Sequence, residues 1–323
     1  MKYTNYEHIH PFLRMMLSHN DYEYNDDPKV ISATSIMKPV NMIVLERANS
    51  GTDKEMDLEG MIPSVYGSAL HSKMEIALEQ ATDEMWKMIG VNDPEDLEVK
   101  VEERGEIEIQ DYKISGKYDI MFKYKGSNWQ ILDLKTFSVW KLIIDLPGAK
   151  EEWSKQMSIY KAINASDSIT VDDIGVILYL ITDWSKSDSI IKKKQGYPES
   201  RIGSIDISLM SISETENYLN KKVTEIKAGL DLYSRTGKTG FECSEAERWV
   251  RKSGFAYYSK AGAKRATKVV DTFDQAESLR AKAKDHTAYV EERKAQSTRC
   301  GYCSVTQFCD LYSKMIITGE VKI

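Results

Sequence analysis

The sequence predicts an α/β protein, a mixed central sheet flanked by helices, with a small cysteine-closed α+β insert toward its C-terminal end. Three observations carry this. The helical spacing of the first part gives way near residue 97 to an alternation of period two. That alternation ends in a charged strand, "WQILDLKTFSVWK" at 129–141, and residues 244–299 separate Cys243 from three clustered cysteines.

Residues 1–80 read as mostly helical. His8 and His10 form an H-x-H pair without evident partner ligands. In "GSALHSKMEIALE" (67–79), His71 and Glu75 fall on one helix face at i and i+4. From residue 97, Val99 and Val101, then Ile107 and Ile109, then Ile120, Phe122 and Tyr124 alternate with polar residues, and "KGSN" at 125–128 reads as a turn. An antiparallel meander ending in the charged strand is expected. There, Trp129, Ile131, Asp133 and Lys135 share one face and Leu132 and Leu134 the other. Asp119 joins the charged face only if the hairpin loop has an odd number of residues; a three-residue loop at 126–128 sets Asp119 opposite Lys135.

A helix is expected around 150–165 and an apolar strand at 174–182, which fits a mixed sheet covered by helices. Residues 185–200 read as a polar loop, and "SISETENYLNKKVTEIKAGLDLY" as a long amphipathic helix. Between Cys243 and Cys300, "FAYYSK", a basic turn "AGAKR" and "ATKVVD" predict a hairpin, followed by a helix opened by a Thr272/Gln275 capping box. The expected division is 1–242, a helical region plus the α/β core, and 243–323, the cysteine region with its basic insert.

With 41% apolar and 29% charged residues, the chain can bury a full core without covalent staples. The longest apolar run, 174–181, is too short for a bilayer, and the first residues lack a signal-peptide pattern, so a cytoplasmic, non-membrane protein is expected. A net charge of −6 does not mark a nucleic-acid binder, but it conceals a local excess. Arg251, Lys252, Lys260, Lys264, Arg265 and Lys268 lie in a stretch, 251–270, that contains no acid. Lys260, Lys264 and Arg265, with Tyr257 and Tyr258 adjacent, are candidates for tracking phosphates and stacking bases; a solvated hairpin is the plainer alternative.

Two carboxylates and an ammonium at a strand end are costly to bury unless compensated. A divalent cation compensates them: Asp119 and Asp133 offer hard oxygen ligands, the Leu134 carbonyl a third, and Lys135 can orient or deprotonate water and stabilise charge on a phosphate. Taken alone, a D-x-K tripeptide is more often a structural ion pair.

The company it keeps resembles the PD-(D/E)xK nucleases, and within them the RecB-like branch that includes phage-type exonucleases with an iron-sulfur cluster. "GSALH" matches that branch's G-x-x-x-H helix, with Gly67 and His71. "GKYD" matches its G-x-x-D strand, with Gly116 and Asp119. "DLK" is its D-x-K with Thr136 following, and "QMSIY" its Q-x-x-x-Y helix, Gln156 to Tyr160. Tyr118 stands where the family name has proline. The resemblance implies a restriction-endonuclease-like fold. It further implies a Mg²⁺ or Mn²⁺ held by Asp119, Asp133, the Leu134 backbone and His71, with Glu75 as an additional candidate, and Lys135 as the water-activating residue. Gln156 and Tyr160 would face the DNA backbone or support Lys135.

Cys300, Cys303 and Cys309 form C-x2-C-x5-C, and with Cys243 they suit a [4Fe-4S] cluster or a structural Zn²⁺. The resemblance favours the iron-sulfur staple. It departs from the pattern in that many relatives carry the fourth cysteine ahead of the core, whereas Cys243 follows Tyr160. The implied activity is a metal-dependent DNA nuclease, an exonuclease at free DNA ends leaving 5′-phosphates, in phage recombination, repair or DNA degradation, in the host cytoplasm if phage-encoded. A helicase or recombination protein would be a partner; no residue indicates oligomeric state. The alternatives are a DNA-end-binding accessory with little turnover and a zinc-stapled interaction protein.

Overall fold

The computed structural model describes residues 2–19, 25, 27–52, 55–91 and 93–320. The chain divides into two compact units, residues 1–38 with 51–225, and residues 39–50 with 226–323. The boundary expected at 242/243 falls inside the second unit. Among the described residues no helix is long and apolar enough to cross a membrane.

The first unit is built on a five-stranded mixed sheet in the order Ile202–Ser208, Ile174–Ile181, Gln130–Phe137, Ile120–Tyr124, Leu97–Val101. Gln130–Phe137 and Ile174–Ile181 pair in parallel, and the other neighbours are antiparallel. A parallel pair needs a long crossover, which the helices Val139–Ile143 and Leu146–Ser166 supply. The second half of Leu146–Ser166 is buried on nearly every side because it lies between two sheets. Met157 packs where a side chain on Gly175 of the central sheet would sit. Tyr160 and Ile163 do the same over Gly116 and Gly105 of a second, three-stranded sheet.

That second sheet corrects the expected meander. Leu97–Val101 pairs directly with Ile120–Tyr124, while the hairpin Arg104–Ile109/Tyr112–Lys117 leaves the central sheet and joins Val30–Ser32. The chain turns out at Glu102, whose φ of 54° is outside the extended region. Residues 1–80 likewise contain strands as well as helices, including a parallel pair, Lys2–Thr4 with Glu55–Asp57. His10 caps the helix Pro11–Ser18 by accepting a hydrogen bond from Phe12 N–H. The polar stretch 185–200 begins with a helix, Lys186–Ile191, capped by Ser185.

The hairpin into the charged strand pairs Ile120 with Leu132 and Phe122 with Gln130. Extending that register puts Asp119 opposite Asp133. The odd parity expected of the loop therefore holds, with the register two residues away from one that faces Asp119 with Lys135.

In the second unit, Gly254–Tyr258 pairs with Lys268–Val270 as the expected hairpin, and Tyr289–Arg293 adds a third strand on its other edge. Thr272 caps the helix Phe273–Ala281, accepting from Gln275 N–H. The 25-residue helix Ile212–Thr236 spans the boundary between the units.

Candidate active site

The Gln130–Phe137 strand carries Asp133 at its middle and Lys135 two residues further on, on the same face. Asp133 is 1% exposed and Asp119 8% exposed. The Leu134 N–H donates to Asp119 Oδ2 at 2.6 Å, which fixes that carboxylate against the strand. Lys135 Nζ is 2.7 Å from Asp133 Oδ2. That ion pair is close but poorly aligned: among the described residues neither Asp133 oxygen takes a well-directed hydrogen bond. A buried carboxylate in this state is unusual, and it fits a site shaped for a cation.

His71, on the helix Ile62–Glu79, approaches the other side of the same strand residue. Its Nε2 lies 3.2 Å from the Leu134 carbonyl, and its Nδ1 lies 3.4 Å from Glu102 Oε1 and 3.5 Å from Asp119 Oδ1. Adjacent ligands on an octahedral Mg²⁺ stand about 3.0 Å apart, given metal–oxygen distances of ~2.1 Å. His71 Nε2 and the Leu134 carbonyl match that spacing. His71, Glu102 and Asp119 together offer ligand atoms within 4.8 Å of one another. Asp133 stands outside this tight set, turned onto Lys135. Glu75 is half-buried and is not brought into it either.

Glu102 is the residue that sequence reasoning missed. It directly follows Leu97–Val101, the edge strand of the five-stranded sheet, and its N–H donates to the Asp119 carbonyl at 2.9 Å, so pairing between strands brings it to the site. Its Oε2 is 2.5 Å from Lys117 Nζ. The available signal was an acid at the junction between two period-two segments.

Electrostatics follow from this crowding. Burial, and then repulsion by Asp133, push the Asp119 pKa up to about 7. The hydrogen bond to Glu102 raises His71 above its ordinary value despite burial, and the His71 contact lowers Glu102, helped by Lys117. Burial works to lower Lys135, but Asp133 and Asp119 outweigh it and hold the ammonium above its usual range. The metal-free site thus favours protons on His71, Lys135 and Asp119, charges that a divalent cation can replace.

Gln156 and Tyr160 are both buried on the Leu146–Ser166 helix, and Gln156 Nε2 donates to the Tyr160 hydroxyl at 2.7 Å. Gly116 is explained by the same packing: a Cβ there would come within 2.8 Å of the Tyr160 ring.

In the second unit, Cys243, Cys300, Cys303 and Cys309 line one small cavity as unpaired thiols. Burial, then Glu247 and Cys309, push Cys243 up to about 11; burial followed by the neighbouring cysteines also raises Cys300. Lys260, Lys264 and Arg265 are exposed on the hairpin turn. Tyr257 is not available to stack bases as expected: it is 8% exposed, and Tyr258, also buried, stacks on Tyr289. Successive residues 256–258 are all buried because the strand is covered on both faces.

Among solved structures, that of SSO0001 is similar at a TM-score of 0.38 and 15% identity, covering 69% of this chain and 90% of that one. LHK-Exo in complex with dAMP is similar at 0.37 and 14% identity, covering 65% and 93%. A phage related exonuclease from Haemophilus somnus 129PT is similar at 0.24 and 18% identity, covering 48% and 72%. At these scores the likenesses carry no argument. No curated protein matches the chain. The family profile of the PD-(D/E)XK nuclease superfamily matches residues 44–310, most of the sequence and all of the D-x-K site, and the chain belongs to that superfamily.

Proposed function

We propose that this chain is a Mg²⁺- or Mn²⁺-dependent deoxyribonuclease of the RecB-like branch, acting as an exonuclease at free DNA ends. The observation that carries the reading is Asp133: a buried carboxylate without an aligned hydrogen bond, beside a second buried carboxylate and one ammonium. Asp119, Asp133, the Leu134 carbonyl and His71 are the residues that would hold the cation, with Glu102 behind His71. When bound, the cation supplies positive charge that polarises the scissile phosphate and acidifies water. Lys135, beside Asp133, would orient or activate the attacking water and stabilise charge developing on the phosphate. Gln156 and Tyr160 act from the crossover helix, keeping the D-x-K strand and the G-x-x-D residues in register through Gly116.

In the second unit, we take the cysteines as ligands of a [4Fe-4S] staple. All four line one cavity, which suits a single shared centre. The division at 242/243, a reducing cytoplasmic setting, the basic turn as a phosphate-binding element and a task in recombination, repair or DNA breakdown belong to the same reading. So does a helicase or recombinase partner.

The test is digestion of end-labelled linear single- and double-stranded DNA and of closed circles with Mg²⁺ or Mn²⁺, comparing wild type with Lys135→Ala. Metal-dependent loss of linear DNA that spares circles and disappears in the variant is expected. Binding without cutting by either protein would leave a DNA-end-binding accessory instead.

A further inference from the structure

We propose that Asn41 is a positioning residue of the cysteine centre, its buried side-chain amide donating to cysteine sulfur and favouring the anionic, metal-bound form. The inference rests on the iron-sulfur reading above and names which side chain tunes it. Asn41 lies on the helix Val40–Ala48, in the same compact unit as all four cysteines, and is 6% exposed. Its Nδ2 stands 3.7 Å from Cys309 Sγ, within range of an N–H···S hydrogen bond.

The amide cannot turn freely. Thr239 Oγ1 donates to Asn41 Oδ1 at 2.6 Å, and Phe241 N–H donates to Thr239 Oγ1 at 3.2 Å. With its oxygen occupied by a hydroxyl proton, Asn41 has only its NH₂ group to present toward the sulfurs. A neutral thiol is a weak acceptor, so a buried amide donor aimed at one is poorly satisfied. A metal-bound thiolate is charged and satisfies it, since hydrogen bonds to ionised partners are the stronger ones.

Arg248 repeats the pattern from another direction. Its Nη1 is tied to Ser297 Oγ at 2.8 Å, and it lines the cysteine cavity while its buried Nε has no partner among the described residues. An amide donor facing a weak acceptor and an arginine Nε without a partner among the described residues therefore border a four-sulfur cavity, an arrangement that suits an anionic centre.

Hydrogen bonds to the sulfurs help set a cluster's reduction potential, and donors favour the more negative reduced state. The test uses the full chain purified without oxygen and reconstituted with ferrous iron and sulfide. Iron per chain, the band near about 400 nm expected of such clusters, the reduction midpoint and the thermal melt are measured. Asn41→Leu is expected to bind iron, lose the band several-fold faster in air and show a more negative midpoint. Asn41→Asp, which turns an acceptor toward sulfur, should lose iron more completely, and Thr239→Val should shift the midpoint in the same direction by less. A Leu variant with the wild-type midpoint and air lifetime overturns the proposal, even if it melts earlier, because that outcome marks a packing role. If reconstituted wild type carries neither iron nor band, the iron-sulfur reading itself fails, and this inference with it.

Discussion

Asp133 and Lys135 meet at 2.7 Å from adjacent same-face positions of one strand, and the meeting is unequal: the carboxylate is 1% exposed and the ammonium 26%. Lys135 thus supplies a cation in direct contact with a buried carboxylate. Removing it leaves an uncompensated buried charge, which costs on the order of 3–5 kcal/mol. Lys135→Met is expected to lose about that much stability in urea denaturation with EDTA, and to recover more of it than wild type gains when Mn²⁺ is added. The double variant with Asp133→Asn should be much less destabilised than the sum of the single changes. Additive losses would mean that the two groups are not coupled.

Glu102 stands behind His71 as a carboxylate behind a metal-ligating imidazole commonly does, fixing which nitrogen carries the proton. Loss of such a partner typically weakens metal binding about 10- to 100-fold. Glu102→Ala should show that loss in Mn²⁺ titration calorimetry, and Glu102→Gln a smaller one, since its amide oxygen still accepts from Nδ1–H. An unchanged dissociation constant in the alanine variant would assign Glu102 to Lys117 alone.

The pKa values of Asp119 and His71 are both raised, the first by burial and Asp133, the second by its hydrogen bond to Glu102. The Asp119 pKa, pushed up by burial to about 7, lies above its unfolded value of roughly 3.9. Between those values the folded chain holds a proton that the unfolded chain has released, so metal-free stability falls as pH rises through that window. His71 is raised as well, so its contribution is present below its unfolded pKa and is lost as pH rises through the folded one. Metal binding runs the other way, because both protons must leave. Melting temperatures with Mn²⁺ and with EDTA should therefore diverge as pH rises toward and through about 7. A constant gap would show that neither proton is displaced.

Much of the site was legible because its motifs are local. His71, Asp119, Asp133 and Lys135 each announce themselves within a few residues of sequence, and the parity of one hairpin decides whether the last three converge. Glu102 was not legible in this way. Its place depends on a left-handed turn and on the pairing of Val101 with Ile120, which period-two alternation cannot reveal. The same limit explains the broken meander: alternation marks a strand without naming its partner. Tyr257 failed for a related reason, because alternation has no outward face to report where a strand is covered on both sides.

Gly116 links the G-x-x-D strand to the Q-x-x-x-Y helix by contact, not only by motif. A Cβ there would sit 2.8 Å from Tyr160 Cδ1 and 2.8 Å from Ile163 Cδ1, closer than packed carbons come. Gly116→Ala must push the helix or turn the Tyr160 ring, at a cost of about 1–3 kcal/mol for overpacking. Because the Tyr160 hydroxyl receives the Gln156 amide, the displacement reaches a buried side-chain pair of the crossover helix. Urea denaturation should show the stability loss, and metal-dependent DNA cleavage should fall further than the unfolded fraction accounts for. Gly51→Ala, where a Cβ meets nothing within 4 Å, is the control and should change neither. Should Gly116→Ala lose stability yet cleave normally once folded, Gln156 and Tyr160 would be packing residues without a part in the chemistry.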